Sequence, residues 1–192
     1  IEKELSLNNK NLDNLRIALV GDLKYGRAVH SLCKILSKFS NVNMNLVSPG
    51  ELRLPEDLLN QLNEAGVSVI QTENLEEGIS GVDIIYVTRV QEERFKNKED
   101  ANKYRGLLSL NQSIYTANCE PNTVIMHPLP RDSRSDANEL DRDLYENPNL
   151  AIFRQADNGV VIRMAMFALV LGVENKILET AKSVNWKVGL SN

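Results

Sequence analysis

Residues 16–27, RIALVGDLKYGR, decide the fold. Arg16 to Val20 is a short apolar run stopped by Gly21 and Asp22, which reads as a strand buried on both faces. Beyond GDLKYGR, the residues Val29, Leu32, Cys33, Leu36 and Phe39 recur at helical spacing. The strand therefore passes through a short loop into a helix from about Gly26 to Ser40. Working outward, the alternation repeats. Val42–Val47 is a second strand that stops at Ser48, Pro49 and Gly50. Pro55 suits a first helical turn, with Leu58, Leu59 and Leu62 as the stripe and Gly66 as the stop. Val67–Gln71 is the third strand, Asn74–Ile79 a short acidic helix, and Val82–Thr88 the fourth and most apolar strand.

Residues 89–106 (RVQEERFKNKEDANKYRG) are polar and without clear periodicity. They read either as a solvated loop or as a long binding loop. Leu107–Asn111 begins a further helix, and Thr123–Met126 is the fifth strand, followed by HPLPRD. A polar stretch over 133–147 leads to the apolar run LAIF at 150–153. Asn158 and Gly159 then precede an apolar helix through Leu171, and Glu174–Val184 reads as a last helix. Strands alternating with helices imply an α/β fold: a doubly wound, Rossmann-like parallel sheet of about five strands with helices on both faces. Right-handed crossovers suggest the order 3-2-1-4-5, with a ligand crevice at the switch point between strands one and four.

The chain has 192 residues, 42% hydrophobic and 25% charged, with a formal charge of -4. That fits one α/β domain rather than a disordered chain. No basic stripe exists to neutralise phosphates, which argues against nucleic acid. The longest apolar stretch, Met164–Val173, is far short of the roughly 20 residues of a membrane span. No charged segment followed by an apolar run opens the chain, so no secretory signal is expected. The chain opens on Ile1, not Met, so a fragment or a processed chain is expected. Cys33 sits in a helix stripe and Cys119 in the turn-like NCEP; both read as reduced structural residues. Two cysteines and two distant histidines are too few for a zinc site. A reducing cytoplasm fits this cysteine usage.

The two strands flanking the switch point run into GDLKYGR and TRVQEER, which place Arg27 and Arg89 beside one crevice. A guanidinium binds a carboxylate bidentately, so the pair suits a small dicarboxylate or a phosphate-bearing ligand. Gln91 adds an amide donor if the loop stays extended. Taken singly, each arginine also reads as a surface ion pair. GDLKYGR lacks the G-x-G-x-x-G spacing and carries bulky Leu23, Lys24 and Tyr25, which argues against a dinucleotide loop. In HPLPRD, Pro128 and Pro130 fix φ and remove donors, so this loop offers carbonyls with little freedom. From local sequence alone it reads first as a rigid turn around a buried His127. His30, on the predicted helix, reads as a capping or core residue.

GDLKYGRAVHSL (21–32), YVTRVQEERF (86–95), HPLPR (127–131) and QADNGVVIRMAMFALVLG (155–172) together closely resemble the aspartate carbamoyltransferase family. The match runs from about Leu12 to Gly172 and corresponds to the C-terminal, aspartate-binding domain of the catalytic chain. Ornithine carbamoyltransferases are similar, but typically carry His-Cys-Leu-Pro and a Ser-Met-Gly loop. The resemblance implies that Arg27 and Arg89 hold the aspartate carboxylates, with Gln91 assisting. It implies that backbone carbonyls of Leu129 and Pro130 meet the carbamoyl and amine groups. Arg94 and Glu99 would lie in a loop that closes during turnover. Ala28 stands where the family often has Thr, so a hydroxyl contact is missing there.

On the same resemblance, residues 1–11 are the tail of an interdomain helix, 12–172 the aspartate domain and 173–192 a C-terminal helix. The family's N-terminal carbamoyl-phosphate domain, with its Ser-Thr/Gly-Arg-Thr motif, is supplied by none of the 192 residues. The implied reaction is attack of the L-aspartate amine on carbamoyl phosphate, the committed step toward pyrimidines. It needs no cofactor, no metal and no catalytic acid or base in this domain. The implied partners are L-aspartate, and carbamoyl phosphate only with the N-terminal domain. The full-length enzyme is expected as a cytoplasmic homotrimer that leaves room for a regulatory chain. The isolated chain is expected to fold without turnover. A stand-alone dicarboxylate- or amino-acid-binding module and a carbamoyltransferase for another amino acid are the rival readings. Finally, Val160–Leu171 is apolar around nearly its whole circumference. In the family such helices pack on the N-terminal domain, so an exposed apolar patch and self-association are expected of the isolated chain.

Overall fold

The computed structural model describes residues 1–132, 134–180 and 182, and contacts divide the chain into two units, Ile1–Gln155 and Ala156–Asn192. The first unit is built on a sheet of five parallel strands: β1 (Arg16–Val20), β2 (Asn43–Val47), β3 (Ser68–Thr72), β4 (Ile84–Val87) and β5 (Val124–Met126). Their spatial order is β3-β2-β1-β4-β5, as the right-handed crossovers require. At the carboxyl end of β1, Val20 stands in register with Val47 of β2 and Val87 of β4.

Successive side chains of a strand point to opposite faces, and each face carries its own core. On one side Ile17, Leu19, Met44, Leu46 and Ile84 pack with the helix residues Val29, Cys33, Leu36, Leu58 and Leu62. On the other, Ala18, Val20, Val47, Ile85 and Ile125 pack with Leu75, Ile79, Tyr115 and Ile152. The sheet's apolar runs exist because both faces are covered. Cys33 and Cys119 are free thiols, and burial pushes them up to about 12 and about 11.

The short α1 (Glu2–Ser6) places Leu5 in the first core, and buried Glu4 accepts a two-pronged bond from Arg154 at 2.9 and 3.0 Å. α2 spans Arg27–Leu36; α3 (Glu56–Glu64) follows Pro55 and stops before Gly66, whose φ of 76° only glycine adopts freely. The Asn74 side chain caps α4 (Leu75–Ile79). Within 89–106 the chain forms a 3₁₀ turn at Glu92–Arg94 and α5 (Lys98–Asn102).

Two helix boundaries differ from expectation. Leu107–Asn111 does not begin a helix. Leu110 pairs with Leu140 in a β-bridge, and the Asn111 side chain accepts from the Ile114 N–H at 2.8 Å, which fixes the start of α6 (Gln112–Asn118). The apolar run at 150–153 splits: Leu150 bridges to Ile125, and Ile152 opens α7 (Ile152–Leu171). Asn158 and Gly159 therefore lie inside a helix instead of before one. An internal glycine costs about 1 kcal/mol against alanine, which a helix of 20 residues absorbs.

In the second unit, Val161, Met164, Phe167, Val170 and Leu171 of α7 are exposed, while Ala168 is buried. α8 covers Glu174–Thr180; the expected continuation to Val184 lies on residues of which only Lys182 is described. No helix among the described residues is long and apolar enough to cross a membrane.

Candidate functional site

The site lies where the loops after β1, β4 and β5 meet. Gly21, with φ of 113°, ends β1, and a Cβ there would run into the Thr88 carbonyl oxygen after β4. The glycine that could suggest a phosphate loop instead lets two strand ends approach. Asp22 follows, fully buried, and its carboxylate stitches the loops together. Oδ1 accepts from the Tyr25 N–H and Oδ2 from the Gln91 N–H, both at 2.9 Å. Burial pushes the Asp22 carboxyl up, and the N–H donors of Gln91, Tyr25 and Lys24 only partly offset this. His30 is half-buried on α2, its Nε2 lying 2.8 Å from the Leu23 carbonyl oxygen; it steadies the loop and neither caps the helix nor joins the core.

Arg27 starts α2 and is exposed, with no ion pair or side-chain hydrogen bond among the described residues. Arg89 is held more firmly. Nη1 donates to the Val90 carbonyl at 3.1 Å, and the fork meets Glu93 at 2.8 and 3.2 Å. That carboxylate raises the arginine further above its ordinary value, and Arg89 in turn lowers Glu93. After β5, His127 is buried and accepts the Leu129 N–H at Nδ1 (2.9 Å). The backbone N–H of His127 donates to Oε1 of Gln155 at 3.0 Å. Leu129 takes a φ of 52°, and the Leu129–Pro130 peptide is cis.

These three loops enclose a cleft of about 220 Å³, lined by Arg27, Ala28, Thr88, Arg89, Gln91, Arg94 and His127 to Pro130. Arg27, Arg89, Gln91, Leu129 and Pro130 are thus brought together, and Arg94 joins them. Glu99 does not; it sits on α5, away from the lining. The cleft presents three guanidinium groups, one amide and the constrained backbone of a proline-flanked loop. Such a set is chemically suited to a small anion carrying more than one carboxylate or phosphate. Among the described residues no group of three or more His, Cys, Asp and Glu side chains is placed to hold a metal ion.

Sequence reasoning passed over Asp22, Glu92, Glu93, Glu139 and Gln155. Asp22 carried a signal, because an aspartate three residues before a backbone N–H at a strand end is a turn former. Glu92 carried none. It sits between Arg105 (2.7 Å) and Arg134 (2.5 Å), tying residues 89–106 to the segment after HPLPR, and its carboxyl falls to about 2, first through Arg105.

Residues 13–170 match the family model described as aspartate/ornithine carbamoyltransferase, Asp/Orn binding domain. The aspartate carbamoyltransferase catalytic subunit of Cellvibrio japonicus is 59% identical over 97% of this chain and 55% of its own length. The catalytic subunit of M. jannaschii aspartate transcarbamoylase superposes with a TM-score of 0.76 at 35% identity, over 91% of this chain and 54% of that one. Aspartate transcarbamoylase from Trypanosoma cruzi, solved with aspartate and phosphate, gives 0.73 at 33% identity, over 87% and 49%. The same T. cruzi protein has been solved with carbamoyl phosphate. The chain spans about half the length of the relatives it matches. By sequence and by fold, it belongs to the aspartate/ornithine carbamoyltransferase family, as an Asp/Orn binding domain.

Proposed function

We propose that this chain is the aspartate-binding half of an aspartate carbamoyltransferase. The whole enzyme would transfer the carbamoyl group of carbamoyl phosphate to the amine of L-aspartate, giving N-carbamoyl-L-aspartate and phosphate for pyrimidine synthesis. One observation carries the reading: Arg27 and Arg89, from loops that flank the switch point, line the same cleft as Gln91 and the backbone of Leu129 and Pro130. Two forked cations suit the two carboxylates of aspartate, whereas ornithine would bring a second cation into a cleft already lined by three arginines. The T. cruzi relative's complexes with aspartate and with carbamoyl phosphate support the same substrates.

In this reading the domain works by orientation. Arg27 and Arg89 fix the carboxylates, Gln91 adds a donor, and the Leu129 and Pro130 carbonyls accept from the amine and the carbamoyl NH₂. Arg94 enters when the 89–106 segment closes, and Glu99 moves with it. Holding two reactants in line is worth about 7–11 kcal/mol of the barrier. The phosphate end needs the carbamoyl-phosphate domain, which we place with the family's N-terminal half. The intact enzyme is read as a cytoplasmic homotrimer, with a regulatory chain as a further partner. Assay of a protein of the relatives' full length carrying this domain tests the proposal. N-carbamoyl-aspartate should form with succinate as a competitor, and the 192-residue chain alone should give none. Equal use of ornithine, or no product from the full-length protein, would overturn it.

A further inference from the structure

The HPLP loop bends around one side chain. His127 is 1% exposed, and both of its ring nitrogens face protein. Nδ1 accepts from the Leu129 N–H, so that nitrogen is bare and the ring proton sits on Nε2. Nε2 lies 2.9 Å from Oε1 of Glu139, a distance of contact, yet without the alignment of a hydrogen bond. The carboxylate therefore acts on Nε2–H as a nearby charge and favours the tautomer that keeps Nδ1 free. Glu139 is itself buried and anchored, because its two oxygens accept the Asp132 N–H at 2.9 and 3.2 Å. Gln155 fixes the other end of the arrangement by accepting the His127 N–H.

What this fixes is a residue out of its comfortable range. Leu129 has φ of 52°, in the left-handed region that a leucine rarely enters, and such conformations persist only where the surroundings over-determine them. Among the described residues the Leu129 N–H makes one hydrogen bond, to His127, and Leu129 lines the cleft. We propose that His127, held in its Nε2–H tautomer by Glu139, is a positioning residue that locks the Leu129 peptide into the conformation with which it borders the cleft. The proposal rests on the proposed function only in taking the Leu129 backbone as a ligand contact.

Two substitutions separate the roles of the ring. His127→Asn puts an amide oxygen close to the place of Nδ1, so it can still accept the Leu129 N–H. His127→Gln reaches only toward the place of Nε2 and loses that acceptor. In the 192-residue chain, ¹⁵N spectra of the imidazole should show a bare Nδ1 and a protonated Nε2. Loss of one hydrogen bond predicts Leu129 amide exchange about tenfold faster in His127→Gln than in the parent or His127→Asn. In a protein of the relatives' full length, kcat should fall by about tenfold in His127→Gln and stay within about threefold in His127→Asn, with any rise in the KM for carbamoyl phosphate confined to His127→Gln. An Nδ1–H tautomer, or a doubly protonated ring, would overturn the proposal. So would equal exchange or equal kcat in the two variants. If the full-length parent makes no N-carbamoyl-aspartate, the proposed function fails, and the spectra and exchange rates still decide the geometry.

Discussion

The two ends of the sheet treat positive charge in opposite ways. At the amino ends of the strands, Lys10 and Arg16 converge on buried Asp83, with contacts of 2.5 and 2.8 Å to Oδ1 and the Arg16 N–H at 3.0 Å from Oδ2. Burial pushes the Asp83 carboxyl up, but the donors of Arg16 and Lys10 outweigh it and hold the group below its ordinary value. At the carboxyl ends, Arg27 has no acidic partner among the described residues, and Arg89 has only Glu93, whose side chain is 55% exposed. One end consumes its cations on a buried carboxylate; the other pairs Arg105 and Arg134 with Glu92 but leaves the arginines of the cleft open to something that arrives. In a doubly wound sheet the loops at the carboxyl ends diverge at the switch point, which leaves a crevice to fill.

The sharpest break of that contrast is Asp83→Ala. It removes a buried carboxylate and leaves two cations, each about half exposed, so solvent takes up part of the cost. A loss of about 2–3 kcal/mol is expected, below the range for fully buried pairs. For a domain of this size that corresponds to a melting temperature lower by about 4–12 °C. The pH dependence has a definite sign. A carboxyl whose folded pKa is depressed stabilises the protein above its unfolded value, near 4, and that contribution is lost as pH falls through the folded pKa. The gap between parent and variant should therefore close on acidification below about pH 4. Equal melting temperatures at neutral pH would refute the structural role of Asp83.

The same contrast marks what was legible in the sequence. The strand order was legible because a two-faced sheet writes apolar runs, and helices write stripes, into consecutive residues. Arg27 and Arg89 were legible as a pair because each lies just beyond the loop or turn that leaves one of two strands the topology makes neighbours. Asp83 was not, since its partners Lys10 and Arg16 lie 73 and 67 positions away and nothing local marks them. The HPLP loop showed its rigidity through two prolines, but the carboxylate beside His127 comes from position 139, across a segment with no periodicity. The helix starts at Gln112 and Ile152 were misplaced because β-bridges from Leu110 and Leu150 claimed apolar residues that a helical stripe would also have used.

At the other end of the sheet, Arg27→Ala should leave the melting temperature within about 1 °C and Arg89→Ala, which loses the Glu93 pair, within about 4 °C. In a protein of the relatives' full length, each should weaken aspartate by about 10- to 150-fold, the value of a charge-assisted pair. Lysine should restore little, since it cannot reproduce the fork. A KM for aspartate within about twofold of the parent would return that arginine to the status of Lys10, a charge with no ligand role.

The smallest effect sharpens the comparison most, because among the described residues Arg89 is the one cleft cation with an acidic partner. Glu93 occupies both terminal nitrogens, and Nη1 also donates to the Val90 carbonyl, while Nε makes no hydrogen bond among the described residues. The guanidinium is thus steadied from one side and open on the other, which is preorganisation and not occlusion. If so, Glu93→Gln loses the charge and loosens the fork, and aspartate should bind more weakly. Glu93 is exposed and Arg89 half-buried, so solvent screens the pair; the change should stay within about fivefold, the worth of a surface ion pair, and should shrink as salt is raised. Tighter binding in Glu93→Gln would mean that Glu93 competes with the ligand. Arg89 would then resemble Arg16, a cation already spoken for, and the difference between the two ends of the sheet would reduce to Arg27 and Arg94.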